Sequence, residues 1–285
     1  MEAKNRIKEL RLILNQHNIN YYIYDNPTIS DSEYDKLLRE LQQLEEKNPD
    51  LQTSDSPTQR VGGSVLPEFQ TITHRLPMQS LANAMDMPEL ENFDKQIKKL
   101  LKTDDEIEYI GEPKLDGLAV ELIYEKGYFI SGSTRGDGVI GEDITHNLKT
   151  IKSIPLSIID TNPPSLLEVR GEVFINKHDF KLLNEQRSKN NESLFANPRN
   201  CAAGSLRQLD PNVTMHRPLQ IFCYAPGVIE GLQFDSQLEF LNQLPKWGFP
   251  VNPFIEEGRG CAFLKDYYKR AEELRKQIDY DIDGV

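Results

Sequence analysis

Apolar positions in the N-terminal part of the chain recur at helical spacing. Ile7, Leu10 and Leu14 fall on one stripe and predict a helix over residues 2–16. A second helical run stops before Asn48-Pro49, and Ser30 with Glu33 has the form of a capping box at its start. The pattern therefore predicts a small unit of two helices joined by a short loop.

Beyond residue 105 apolar and polar residues alternate, which is typical of strands. Hairpins followed by helices, rather than strict alternation of the two, predict an α+β fold with antiparallel or mixed sheets. The last residues, YDIDGV, indicate the opening of a strand, so we expect a chain truncated within it. The predicted strands cover residues 106–112, 118–125, 128–134, 167–175 and 219–225, with a hairpin at Lys126-Gly127, and the predicted helices cover residues 177–188 (capped by Asn176), 235–244 and 262–278.

Residues 53–68 are rich in Ser, Thr, Pro and Gly, a composition typical of a linker. We therefore expect two domains. Residues 1–68 form the small helical domain with its linker, and residues 69–285 form the larger α+β domain.

Composition narrows the class of protein. The 285 residues carry 45 acidic and 33 basic side chains, a formal net charge of −12, which disfavours a dedicated nucleic-acid-binding module. No apolar run is long enough for a membrane span or a secretory signal, and the 3 cysteines contain no CxxC pair. The 5 histidines show no ligand spacing. These features predict a soluble, cytoplasmic protein without a metal site built from its own side chains.

The segment Glu112-Pro113-Lys114-Leu115-Asp116-Gly117 has two interpretations. Asp-Gly is common in hairpin turns, so the segment suits a turn between two strands. A lysine amine is also a covalent nucleophile once it has lost its proton, which cationic neighbours and partial burial favour. Nearby carboxylates stabilise the protonated form of the lysine amine. Glu112 and Asp116 therefore suit the positioning of substrate or metal better than the activation of Lys114.

KLDG after a strand resembles motif I of the covalent nucleotidyltransferases, which include DNA ligases, RNA ligases and mRNA capping enzymes. Further segments, in unbroken order, resemble the NAD+-dependent bacterial DNA ligases specifically. They are YYIYDNPTISDSEYD, PMQSLANA, EPKLDGLAV, STRGDGVIGEDIT, EVRGEVFI and FANPRNCAAGSLRQLD. The resemblance implies a helical nicotinamide-mononucleotide-binding domain followed by a covalent nucleotidyltransferase (adenylation) domain that is truncated at motif IV.

The resemblance also implies the chemistry. Lys114 would attack the α-phosphate of NAD+, release nicotinamide mononucleotide and hold AMP, which then passes to the 5′-phosphate of a DNA nick in replication and repair. The resemblance makes Asp116 the second expected catalytic residue. Tyr224 matches the ring that stacks on adenine, although an ordinary core tyrosine stays open as an alternative. The other matching nucleotide contacts are Ser80, Leu81, Glu112, Arg135 and Glu172.

In this family the N-terminal domain grips the nicotinamide mononucleotide half of NAD+. An aromatic ring with carboxylates suits a cationic pyridinium ring, although a solvated, capped helix explains the same residues. One departure is visible, since many relatives have His at the position of Tyr22. The matching positions are Tyr21, Tyr22, Asp31, Ser32, Glu33, Tyr34 and Asp35.

The resemblance implies Mg2+ or Mn2+ held largely by phosphates and water, and a zinc module only in C-terminal domains that are absent here. Arg199 and Arg207 match contacts to nicked double-stranded DNA, although isolated surface arginines stay open as the alternative. A lysine that follows Val285 in relatives is missing from this chain. We therefore expect a cytoplasmic monomer that binds NAD+, binds DNA weakly, self-adenylates slowly if at all, and does not seal nicks.

Two other functions stay open. An RNA ligase or capping enzyme would use ATP or GTP, and the N-terminal tyrosine and aspartate segment argues against it. A non-enzymatic nucleotide-binding module would not need Lys114, Asp116, Arg135 and Glu172 together.

Overall fold

A computed structural model describes residues 2–22, 26, 28–60 and 68–285. The N-terminal unit consists of helix α1 (Glu2–Tyr22) and helix α2 (Asp31–Lys47), followed by 3-10 turns at Pro49–Leu51 and Pro57–Arg60. The capping box at Ser30 and Glu33 is confirmed, because each residue bonds the backbone N–H of the other. Helix α1 continues past its predicted end at residue 16. The two helices share a small core of Ile7, Leu10, Leu14 and Leu41.

The rest of the described chain mixes helices and strands, so the α+β prediction is confirmed. In order, its elements are β1 (Thr71–Thr73), α3 (Met87–Leu101), β2 (Glu108–Gly111), β3 (Lys114–Leu115), β4 (Leu118–Glu125), β5 (Tyr128–Thr134), β6 (Ile140–Glu142), α4 (Thr145–Thr150), β7 (Leu166–Ile175), α5 (Lys177–Lys189), α6 (Pro198–Leu206), α7 (Pro211–Met215), β8 (Leu219–Glu230), α8 (Gln237–Trp247), β9 (Glu256–Arg259), α9 (Gly260–Leu274) and β10 (Ile282–Gly284).

The largest sheet has four antiparallel strands in the order β5-β4-β7-β8. Strands β4 and β5 have the bounds that alternation predicted. The turn between them places Lys126 and Gly127 at φ of 50° and 83°, the left-handed geometry that a tight hairpin needs. The sheet is therefore the part of the fold that local pattern determines best.

Alternation along the strands separates a main core from a polar face. The main core lies on one side of the sheet, where residues such as Val120, Leu122 and Val169 pack with Phe240 and Trp247 of α8. Side chains at the intervening positions of β4 and β7 point to the other side, and several of these are charged. Glu172, one of the candidate site residues, lies on this second face.

Three two-stranded pairings, β1 with β6, β2 with β9 and β3 with β10, complete the described sheets. The opening strand expected at the end of the chain is confirmed as β10, which pairs antiparallel with β3. Strand β9 has the sequence EEGR and no apolar pattern, so alternation does not predict it. These pairings join segments that are distant in sequence.

Some predicted boundaries are wrong. Helix α9 ends at Leu274 rather than residue 278, and α8 runs on to Trp247 with Pro245 inside its last turn. Asn176 occupies the N-cap position of α5, but its side chain makes no capping hydrogen bond. Helix α3 is an unpredicted element capped by Asp86, whose carboxylate accepts a hydrogen bond from Glu89 N.

The N-terminal helical unit contacts the larger α+β unit through buried polar groups. The guanidinium of Arg60 donates to the carbonyls of Lys149, Ile151 and Ile154, at 2.8 to 3.2 Å. The end of α1 faces Pro155, whose carbonyl accepts the hydroxyl of Tyr124. Tyr124 lies near the C-terminal end of β4, so this contact is at the end of the sheet remote from Lys114. Across the part of the chain that the structure describes, no helix is long and apolar enough to span a membrane.

Candidate active site

Lys114 lies on the short strand β3, whose partner is β10 rather than β4. Its Nζ is 2.5 Å from Oδ1 of Asp283, and each side chain keeps between a third and a half of its surface exposed. The backbone N–H of Asp116 donates to Asp281 O at 3.0 Å, which continues the pairing. The KLDG segment is therefore a strand with a bend after it, and the hairpin-turn interpretation is wrong.

Gly117 brings the bend against β7. A Cβ at this position would lie 2.3 Å from the carbonyl oxygen of Val173 and 3.0 Å from Cγ of Glu172. Only a residue without a side chain fits this approach. The glycine thereby places Lys114 and Glu172 on one surface.

Glu172 is partly buried on the polar face of β7. Burial raises the pKa of its carboxyl to about 7, against the opposing effects of Arg199, the backbone of Gly117, Lys114 and Arg135. The carboxyl therefore lies within a group of three cations from three separate segments. A phosphate group suits such surroundings, because the cations would neutralise its charge.

Asp116 and Arg199 form a second charged pair at this surface. Arg199, in the first turn of α6, donates from Nη1 to Oδ1 of Asp116 at 3.0 Å. About half of the Arg199 side chain is exposed. The predicted catalytic aspartate and a predicted DNA contact are thus direct neighbours.

Glu112 and Tyr224 are linked by Gln237, which sequence reasoning missed. Nε2 of Gln237 donates to Oε1 of Glu112 at 2.9 Å and to the carbonyl oxygen of Tyr224 at 2.6 Å. Burial raises the pKa of the Glu112 carboxyl and that of the Tyr224 hydroxyl. Both residues are partly exposed.

Ser80 and Leu81 are exposed in an irregular segment, and 71% of Leu81 is accessible to solvent. The segment is held at its start, where Met78 N donates to Gly138 O at 2.8 Å. Arg135 follows β5 directly, and its backbone N–H donates to Ala119 O at 3.0 Å. The turn after Arg135 therefore supports the segment that carries Ser80.

Arg207 follows α6 and forms a two-pronged ion pair with Glu142 of β6. The two N–O distances are 2.5 and 2.6 Å, and about half of the Arg207 side chain is exposed. Arg199 and Arg207, the two arginines predicted to contact DNA, therefore each form an ion pair with a carboxylate of this chain. Neither is an isolated surface arginine.

The predicted nicotinamide mononucleotide residues lie at α1 and the first turn of α2. Tyr21 is half exposed, and Ser32, Glu33 and Asp35 are exposed. Burial raises the pKa of the Tyr34 hydroxyl. The side chains of Tyr22 and Asp31 lie outside the described residues. The contacts of this unit are at the remote end of β4, so the structure does not bring these residues to Lys114.

Among the residues that the structure describes, no group of three or more His, Cys, Asp or Glu residues is arranged to hold a metal ion. The site offers an accessible amine that pairs with Asp283, near a Glu172 carboxyl whose pKa Arg135 and Arg199 also influence. The arrangement suits nucleophilic attack on a phosphate, with the cations stabilising the charge that develops on its oxygens.

Comparisons with known proteins agree with this geometry. The family model for the NAD-dependent DNA ligase adenylation domain matches residues 66–285, and that for the DNA ligase-like N-terminal NAD+-binding domain matches residues 1–62. The DNA ligase of Geotalea daltonii is 56% identical over 99% of this chain and 43% of its own length. DNA ligases of Thermoanaerobacter sp. (strain X514) and Bdellovibrio bacteriovorus are 53% and 48% identical, each over 42% of its length. This chain thus spans less than half the length of these curated relatives.

Proposed function

Because this chain belongs to the NAD-dependent DNA ligase family, we propose that it performs the first chemical step of nick sealing, the transfer of AMP from NAD+ to Lys114. The observation that carries the proposal is the position of Lys114. Its amine is accessible, and the neighbouring Glu172 carboxyl also faces the guanidinium groups of Arg135 and Arg199.

NAD+ supplies the adenylyl group: a bond from Nζ to the α-phosphorus forms as the bond to the bridging oxygen breaks, and nicotinamide mononucleotide leaves. The ammonium of Lys114 must lose a proton for this attack, and Asp283 Oδ1 is the nearest acceptor, at 2.5 Å. Arg135 and Arg199 are placed to stabilise phosphate oxygens. Asp116 holds Arg199 in place through their ion pair.

We assign the adenosine half of NAD+ to the surface formed by Ser80, Leu81, Glu112, Glu172 and Tyr224. Gln237 supports this assignment, because it fixes Glu112 beside the backbone of Tyr224. The partly exposed Tyr224 ring suits stacking on adenine.

The nicotinamide mononucleotide half is assigned to the helical domain, residues 1–68, and the adenylation domain to residues 69–285. In the arrangement described here the helical unit contacts the remote end of the sheet. We therefore propose that the unit changes its position so that both halves of NAD+ are held at once. Its residues Tyr21, Tyr34 and Asp35 would then reach the pyridinium ring.

Mg2+ or Mn2+ is proposed as a counter-ion carried on phosphate oxygens and water. Nicked double-stranded DNA is the proposed acceptor of AMP, with Arg199 and Arg207 on its backbone and weak binding by this chain alone. We further propose a monomer that works in the cytoplasm in replication and repair.

The test is to measure NAD+ and ATP binding by calorimetry, and adduct formation by intact-protein mass spectrometry after incubation with Mg2+. We expect saturable binding of NAD+ and much weaker binding of ATP. Any gain of one adenylyl group should occur with NAD+ only and be lost in Lys114→Ala. Absence of saturable NAD+ binding would refute the proposal, and preference for ATP would favour an RNA ligase or capping enzyme.

A further inference from the structure

The polar face of the main sheet carries charged side chains that the proposed reaction does not use. Glu121 of β4 and Glu168 of β7 are completely buried there, and the Arg170 side chain keeps 15% of its surface exposed. All three lie on the same side as Glu172, because residues two apart on a strand share a face. Buried charges are costly unless they are paired, so each needs a partner on this face.

His74 provides one partner, and its imidazole is completely buried. Nδ1 lies 2.7 Å from Oε2 of Glu121, and Nε2 lies 3.2 Å from the carbonyl oxygen of Arg135. Both ring nitrogens therefore lie within hydrogen-bonding distance of oxygen acceptors on separate segments. His74 thereby links β4 to the backbone of Arg135, a residue assigned to the nucleotide phosphates.

Arg170 provides the second link. Its Nε donates to Oε1 of Glu121 at 3.2 Å, and its Nη2 donates to the carbonyl oxygen of Leu76 at 2.5 Å. Glu121 therefore has both oxygens occupied, one by His74 and one by Arg170. The neighbouring Arg75 is tied to Glu168, with 2.5 Å between Nη1 and Oε1.

Three consecutive residues, His74, Arg75 and Leu76, are thus fixed to buried charges on β4 and β7. The chain leaves this anchor and reaches Ser80 and Leu81 only a few residues later. Between the two, Met78 N donates to Gly138 O, in the turn that follows Arg135. The same buried network thus supports two separate pieces of the nucleotide site.

We propose that His74, Glu121 and Arg170 are positioning residues for the adenosine half of NAD+. None of them is assigned a contact with the nucleotide. They act by setting where the segment carrying Ser80 and Leu81 lies relative to Arg135. The inference rests on the proposed function, since it assumes that adenosine binds at this surface.

The test compares His74→Gln with His146→Gln in the whole chain. His146 is an exposed histidine of α4 and serves as the matched control. Calorimetry measures the affinities for NAD+, AMP and nicotinamide mononucleotide, and thermal unfolding measures stability. We expect His74→Gln to weaken NAD+ and AMP binding by about ten-fold or more, because small displacements of binding groups are costly. Binding of nicotinamide mononucleotide should be unchanged, which a general loss of structure would not allow.

Arg170→Lys serves as the second variant if His74→Gln does not fold. It keeps the buried positive charge but cannot reach both Glu121 and Leu76 with a planar fork. We expect AMP binding to weaken while nicotinamide mononucleotide binding holds. Unchanged AMP affinity in a folded His74→Gln or Arg170→Lys chain overturns this inference and leaves the proposed function standing. Failure of the unsubstituted chain to bind NAD+ and AMP removes the proposed function, and this inference with it.

Discussion

The ammonium of Lys114 and the carboxylate of Asp283 lie 2.5 Å apart, across the pairing of β3 with β10. The proposed nucleophile is therefore positioned by a residue far from it in sequence. A nearby pair, Lys177 and Asp281, has an N–O distance of 3.4 Å and almost the same exposure. Lys177 has no proposed catalytic role. Substitutions of Lys177 therefore serve as controls for substitutions of Lys114.

We predict that Lys114→Arg keeps the ion pair and the fold but forms no adenylyl adduct. An arginine stays protonated at neutral pH, so it pairs with Asp283 but cannot attack phosphorus. Mass spectrometry after incubation with NAD+ checks the adduct, and urea unfolding checks stability. Lys177→Arg should resemble the unsubstituted chain in both measurements. An adduct on Lys114→Arg would show that another residue is the nucleophile.

Gly117→Ala should destabilise the chain and weaken NAD+ binding. The new Cβ would lie 2.3 Å from a backbone oxygen of β7, which cannot move without disturbing the sheet. We expect a loss of about 1–3 kcal/mol in the free energy of unfolding. Gly204→Ala is the control, since its Cβ meets only the Phe195 ring, at 3.2 Å, inside helix α6. Equal effects of the two substitutions would contradict the importance of the close approach.

Glu172 should make stability depend on pH in a defined direction. Its pKa rises from 4.5 to about 7 on folding, mainly because of burial, so the native state binds its proton more tightly than the unfolded chain. The resulting stabilisation is present below pH 4.5, declines as the pH rises towards 7, and is absent above it. Urea unfolding across this range should show the decline in the unsubstituted chain. In Glu172→Gln this contribution to the pH dependence should disappear, and an unaltered slope would argue against the raised pKa.

Arg207→Gln should weaken binding to nicked DNA. If Arg207 exchanges Glu142 for a backbone phosphate, its loss should reduce the slope of log affinity against log salt by about 1. Arg270→Gln is the matched control, because Arg270 has similar exposure and its own carboxylate partner, Glu256, at 2.6 Å. Fluorescence anisotropy with labelled nicked DNA at several salt concentrations provides the measurement. Identical slopes for the two variants would remove Arg207 from the DNA interface.

Glu45→Ala should destabilise the helical unit. Glu45 is almost completely buried and accepts hydrogen bonds from Arg11 and from the hydroxyls of Ser56 and Thr58. Its loss leaves the largely buried Arg11 without this counter-charge, a change that costs about 3–5 kcal/mol in buried ion pairs. Circular dichroism during thermal unfolding should show an earlier transition. Glu46→Ala, at an exposed position of the same helix, should leave it in place.

The parts of the fold predicted well are those that local pattern controls. Alternation in LAVELIYE and the Lys-Gly turn determined β4 and β5, and Ser30 with Glu33 determined the start of α2. Helix α3 was open to prediction, because Asp86 is a typical N-cap before apolar residues at helical spacing. Strands β3 and β9 were not, since pairing with distant partners rather than their own sequence makes them strands.

The residues of the candidate site also divide into those that local sequence indicates and those that only distant contacts identify. Recognisable motifs led to Lys114, Asp116 and Glu172, which the structure brings together. Glu121 and Arg170 had a visible signal, because they are charged residues inside strand patterns. His74 and Gln237 had none, since each acts through contacts with residues distant along the chain. Motif order also could not show that the helical unit contacts the remote end of the sheet.

The pairing of β3 with β10 has a consequence for synthesis on the ribosome. Lys114 is made 169 residues before its partner Asp283, an interval of roughly ten to thirty seconds at ordinary rates of elongation. The hairpin of β4 and β5 needs only local sequence and is able to form during this time. During this interval the strand partner of the Lys114 segment has not yet been made. The pairing of β3 with β10 is possible only once nearly all of this sequence has been translated.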